Sequence, residues 1–116
     1  MKIDPHETDR VVLVAAGFGV WHGGRHQASA RWTDVARVRA LGADGMAAGR
    51  IRVVVLLDNG TEVIVHEQVP GYASFLAAAE KSLPGMRPRA SWLASLHERT
   101  GAGTEAVLFE RRARGR

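Results

Sequence analysis

The side chains able to do chemistry in this chain are five histidines and twelve carboxylates; there is no cysteine. His22 and His26 stand four apart in HGGRH. On a helix that spacing would put both rings on one face, as in a zinc-binding pair. The two glycines between them argue against a helix, and no glutamate sits where a metal-bound water would need a base. In a hairpin the two rings could still face each other across the turn, but a zinc site needs three or four ligands. HGGRH alone therefore reads as a turn carrying ordinary histidines.

A second group lies along VVVLLDNGTEVIVHEQVPGY, residues 53 to 72, where Asp58, Glu62, His66 and Glu67 could supply an acid and a base. Glu62 and His66 share one face of a strand, about 13 Å apart along it, which is too far for a hydrogen bond. No serine or threonine on that face offers a nucleophile. The glycine stretches GADGMAAG and GAGTE lack the lysine followed by Ser or Thr of a phosphate loop. GFGVWHGG interleaves glycines with aromatics but lacks the basic-aromatic pattern of an RNA-recognition sheet. We expect no catalytic residue, no metal ligand and no cofactor. The competing chemistry is a metal-dependent hydrolase built from His22, His26, His66 and His97 with nearby acids.

Three tryptophans stand out among only seven aromatic residues. Trp21, Trp32 and Trp92 are candidate partner contacts, since tryptophan is enriched where interfaces concentrate binding energy. The competing role is packing at the ends of the core.

Charge excludes one obvious reading. The pI is about 10.6, but residues 111 to 116, RRARGR, hold four of the sixteen basic residues and no acid. Residues 1 to 110 balance twelve Lys plus Arg against twelve Asp plus Glu. Four tail arginines would give at most weak, salt-sensitive contact with nucleic acid or an anionic surface. At 46% hydrophobic and 24% charged residues the composition is that of a globular protein. No apolar run reaches the roughly 18 to 20 residues of a membrane helix, and the polar start MKIDPHETDR has no signal-peptide core. These features, with the missing cysteine, point to a cytoplasmic protein.

The elements that would position these residues follow from pattern. VVLVAAGFGVW, residues 11 to 21, reads as one strand in which Gly17 and Gly19 mark a bend or a close neighbour. Gly23-Gly24 signals a hairpin, with residues 25 to 31 as the return strand. Asp34 after Trp32 marks a corner. Residues 35 to 40 form a mixed, half-exposed strand that could be a sheet edge and a route to a homodimer. Asn59-Gly60 predicts a type I′ turn between strands at 53–57 and 63–65. Tyr72, Phe75, Leu76, Ala79 and Leu83 recur on one helical face, and Pro84-Gly85 stops that helix. Burying four large side chains there is worth roughly 6 to 12 kcal/mol as an upper estimate. Glu67 is expected to cap the helix, whose first N–H groups are unpaired. Residues 91 to 98 are helix or strand, and 106 to 110 a last strand.

The expected fold is α+β: an antiparallel sheet or partly open barrel of roughly five to seven strands, packed by one main helix over about 71–83. Residues 1–10 form a flexible lead-in, 11–110 a single globular domain and 111–116 a basic tail.

One resemblance runs through these landmarks. WTDV at 32–35, DNG at 58–60, E-x-x-P-G-Y at 67–72, FL at 75–76, LP at 83–84, Trp92 and LFER at 108–111 follow in an order that resembles small uncharacterised bacterial proteins with a pleckstrin-homology-like architecture. It spans about residues 11 to 112. It implies a seven-stranded antiparallel sheet closed by a helix and a role in binding peptides, proteins or lipid head groups. The main helix here precedes the last apolar segment, whereas in that architecture the helix comes last. The functional expectation is a non-catalytic binding module acting through contacts with a protein partner. In its narrowest form this is an immunity protein whose partner is a bacterial toxin.

Overall fold

The computed structural model describes residues 10–23, 25–42, 51–98 and 104–111. The expected lead-in apart from Arg10, most of the 42–50 glycine loop, residues 99–103 and the tail beyond Arg111 lie outside the described residues. Among the described residues seven strands and two helices form an α+β architecture of two antiparallel sheets. Strands β1 (Arg10–Val14), β2 (Gly17–His22) and β3 (Arg25–Arg31) make a three-stranded sheet in the order β1-β2-β3. A 3-10 turn at Trp32–Asp34 leads to β4 (Val35–Gly42), β5 (Arg52–Leu57) and β6 (Glu62–His66). Helices α1 (Tyr72–Ser82) and α2 (Arg89–Glu98) follow, and β7 (Thr104–Glu110) closes a second sheet in the order β6-β5-β4-β7.

Residues 11–21 are not one strand. The chain turns at Ala15–Ala16, where Ala16 takes a positive φ of 60°. Alanine is a weak turn signal, so nothing local announces this hairpin. The partner strand announces it from a distance: Ala16 C=O accepts the Trp32 N–H at 3.0 Å, pinning the turn to the sheet corner. Gly17 and Gly19 do mark close neighbours. A Cβ at Gly17 would collide with the Ala30 carbonyl, and one at Gly19 would lie 2.8 Å from the Trp21 ring.

The turn between β5 and β6 also departs from expectation. Among the described residues Gly60 has φ 89° but Asn59 is not at positive φ, so the turn is not type I′. Gly60 N–H donates to Leu57 C=O and Leu57 N–H to Thr61 C=O, both at 2.9 Å. That is a three-residue loop, a type I turn followed by a glycine in the left-handed region. Asp58 sits inside it and ties it to the corner, its N–H reaching Asp34 C=O at 2.8 Å.

β4 is not an edge. It lies between β5 and β7, so the route to a homodimer through residues 35–40 is closed. Its mixed pattern has a physical cause. Register shifts between Val35 and Arg37, and again opposite Val38–Arg39, each insert one extra residue into a ladder. Both Val35 and Val38 then face the core, as do Leu108 and Phe109 on β7.

The core joins both sheets to both helices. Phe18 of β2 packs on Phe75 of α1 at 5.1 Å and on Trp32 at 5.0 Å between ring centroids. The helical stripe Tyr72, Phe75, Leu76, Ala79 and Leu83 is buried as its spacing predicts. Residues 91–98 prove helical, with α2 packed against β7 and β4.

Candidate functional site

The residues singled out for chemistry do not converge. In the β2–β3 ladder His22 pairs with Arg25, and Trp21 with His26. Neighbouring residues of a strand point to opposite faces, so His22 and His26 fall on opposite sides of the sheet. His26 turns its ring edge toward Trp21, 4.9 Å between centroids, and its Nε2 lies 2.7 Å from Ser29 Oγ. Glu62 and His66 share a face, as their alternation implies, but Glu62 Oε2 takes Arg39 at 3.2 Å. His97's side chain lies outside the described residues. Among the described residues no three of His, Asp and Glu come together to hold a metal ion.

Glu67 does not cap α1. The N-cap is Gly71, at φ 91°, with no side-chain cap hydrogen bond. Gly71 is required there, because a Cβ would collide with the Val11 carbonyl while Pro70 C=O accepts the Val11 N–H at 3.1 Å. The close approach of β1 to the head of α1 leaves the carboxylate elsewhere, 3.8 Å from the Arg89 guanidinium. Arg89 also lies over the Tyr72 ring at 5.4 Å. Burial pushes the Tyr72 hydroxyl pKa up to about 12; the Arg89 charge opposes this and Glu67 adds to it.

The tryptophans separate. Trp92 is 0% and Trp32 8% exposed, so both serve the core. Trp21 alone is partly exposed. Its ring lies down on Gly19, and the Arg10 guanidinium stands over it, 5.3 Å from the centroid.

Trp21 belongs to a surface that composition did not announce. The ladders put three rows of side chains on the outer face of the three-stranded sheet: Arg10, Trp21 and His26; Val12, Gly19 and Ser29; Val14, Gly17 and Arg31. The central strand contributes glycines, so Val12 and Val14 have no side chain opposite to cover them. They are 37% and 47% exposed, and Leu13 between them 43%. The result is a short, shallow trough between Val14 and a Ser29–Arg31 wall, with the Trp21 ring lying over Gly19 in the middle row. One end is closed by Trp21. The other opens into a cavity of about 210 Å³ lined by Val14, Ala15, Ser29, Ala30, Arg31 and Asp34. A neighbouring cavity of about 250 Å³ shares Ser29, Ala30 and Asp34, and adds Leu57, Asp58 and Asn59.

The electrostatics of this face are one-sided. Arg10 and Arg31 lie on this face, Arg25 pairs with His22 on the other, and no Asp or Glu occurs from residue 10 to residue 33. None of these three arginines makes an ion pair with another described residue. The acid-free run is a signal present in the sequence, hidden by the balance of twelve basic and twelve acidic residues over 1–110. The exposure of Val12 and Val14 was not available, because it depends on which residues lie opposite them.

Arg111, at the head of the expected tail, belongs to the body. Its Nε donates to Val35 C=O at 2.9 Å and its guanidinium to Trp32 C=O at 3.1 Å. No described helix is long and apolar enough to cross a membrane. Compared with known proteins, the chain matches no family model, no curated protein and no solved structure.

Proposed function

We propose that the chain is a non-catalytic binding module that works by contact with a protein partner, through the outer face of the three-stranded sheet. One observation carries the reading: an exposed apolar run, Val12 to Val14, lies beside a partly exposed tryptophan and arginines that have no ion-pair partner among the described residues. Apolar side chains left together at a surface mark interaction sites, and tryptophan and arginine are the residue types enriched where binding energy concentrates. The narrower form, an immunity protein that covers a bacterial toxin, belongs to the same reading. The resemblance to pleckstrin-homology-like proteins supports it to the extent that seven antiparallel strands with a packed helix are what that likeness implies; both helices lie before β7, outside the usual order.

The test is photo-crosslinking in the cells of origin. A photoreactive amino acid replaces Val14 in one variant and Val107 in another, Val107 being 45% exposed on the other sheet. The reading expects one protein species joined through position 14 and none through 107. Crosslinks at 107 alone, or at neither position, overturn it.

A further inference from the structure

We infer that the trough takes an extended acidic segment of its partner, with carboxylates reaching Arg10 and Arg31 and small apolar side chains against Val12 and Val14. The inference rests on the binding reading above and adds the chemistry of the partner. Shape comes first. The Trp21 ring covers Gly19, so the open part of the trough is its other end, a cavity of about 210 Å³ between Val14 and the Ser29–Arg31 wall, where Gly17 projects no side chain. Charge comes second. Arg10 and Arg31 stand at opposite corners of the face, and no carboxylate lies on any of the three strands, the nearest being Asp34 in the cavity at the Arg31 end. A guanidinium holds a carboxylate through two parallel hydrogen bonds, so a segment with spaced acids satisfies both corners at once.

The other occupants fit less well. A second copy would set Arg10 and Arg31 against the same two arginines, with no carboxylate on the three strands to neutralise them. A single-stranded nucleic acid needs open aromatic faces on which bases stack. Trp21 has one face on Gly19 and the other under Arg10. A bilayer needs apolar side chains that protrude from a convex surface, and here Val14 lines a cavity beside the Asp34 carboxylate.

The probe is a blocked ten-residue peptide of alternating Glu and Val, titrated into the isotope-labelled full chain at low salt and followed by backbone amide shifts. The expected result is saturable shifts confined to residues 10–14, 17–22 and 25–31. Added salt should weaken them, and Arg10→Glu and Arg31→Glu should each weaken them by about tenfold. Both sites are exposed or at the rim, and unchanged amide shifts in the four-stranded sheet verify that the variants fold. Equal binding of the matching Lys–Val peptide, shifts elsewhere, or no effect of either arginine variant overturns the inference. So does binding only to phosphatidylserine vesicles, or a dimer in sedimentation that Arg31→Glu strengthens. The two claims fail separately. If position 14 crosslinks to a partner segment with no excess of acid, this inference falls and the binding reading stands.

Discussion

Each sheet turns one face to the core, and the two finish their outer faces differently. On the four-stranded sheet Arg37 and Arg39 are matched by Glu62, Glu105 and Glu110. Arg39 bridges Glu62 at 3.2 Å and Glu105 at 2.7 Å, and Arg37 holds Glu110 at 2.8 Å. Lying opposite Arg39 in the ladder, Val54 is buried even on this outer side. The three-stranded sheet has arginines without acids, valines opposite glycines and a ring laid on the backbone. The first face pairs Arg37 and Arg39 with acids and leaves Val107 exposed, whereas on the second neither Arg10 nor Arg31 has an ion pair among the described residues and Val12 and Val14 are both exposed. Stability arguments belong to the first and to the core. Recognition arguments belong to the second.

The comparison can be broken in graded ways. Phe18→Ala removes the ring through which the three-stranded sheet grips Trp32 and Phe75, and should cost about 3–5 kcal/mol in urea denaturation. A loss under ~1 kcal/mol would mean the two sheets do not share one core. Gly71→Ala forces a side chain into the left-handed region and against the Val11 carbonyl. It should cost more than ~1 kcal/mol, and hydrogen exchange should speed up in β1 before it does in β4.

Alkaline pH probes the joint between α1 and α2. In the unfolded chain Tyr72 ionises near its ordinary value of 10.0, and in the folded protein only at about 12. The folded state therefore keeps the proton longer, so stability is full below pH 10 and falls as pH rises toward 12. Tyr72→Phe should flatten that part of a stability–pH curve; an unchanged slope would reject the assignment.

Smaller effects sharpen the contrast between the outer faces. Arg39→Met should cost less than ~1 kcal/mol, since these ion pairs are partly solvated and methionine can still cover Val54. The difference from the parent should shrink in high salt. Val12→Thr and Val14→Thr should each change stability by no more than ~0.5 kcal/mol, and Val12→Thr should weaken the crosslink made through position 14. If they destabilise as much as Arg39→Met, the valines serve the fold and the contrast is lost.

Regular elements were legible where local pattern and tertiary environment agree. The stripe from Tyr72 to Leu83 gave the helix because its 3.6-residue period and its burial have one cause. Residues 25–31 were legible because two glycines precede them. The hairpin at Ala15–Ala16 was not, because a bond from Trp32 and the room at Gly17 impose it on residues with no turn preference. Asn59-Gly60 misled for a related reason. The dipeptide fits two turn geometries, and the tie between Asp58 N–H and Asp34 C=O accompanies the one adopted.

The candidate site divides the same way. Composition by itself determined that residues 10–33 carry three arginines and no acid, and that cysteine chemistry is absent. It also determined the apolar content from which a core is built and the alternation that puts Glu62 and His66 on one side of their strand. Only the tertiary structure decided that Trp32 and Trp92 are core while Trp21 is partly exposed, that β4 is central, and that Val12 and Val14 lie beside glycines. A side chain's type is local, but its exposure depends on what lies across the ladder, and that neighbour comes from another part of the chain.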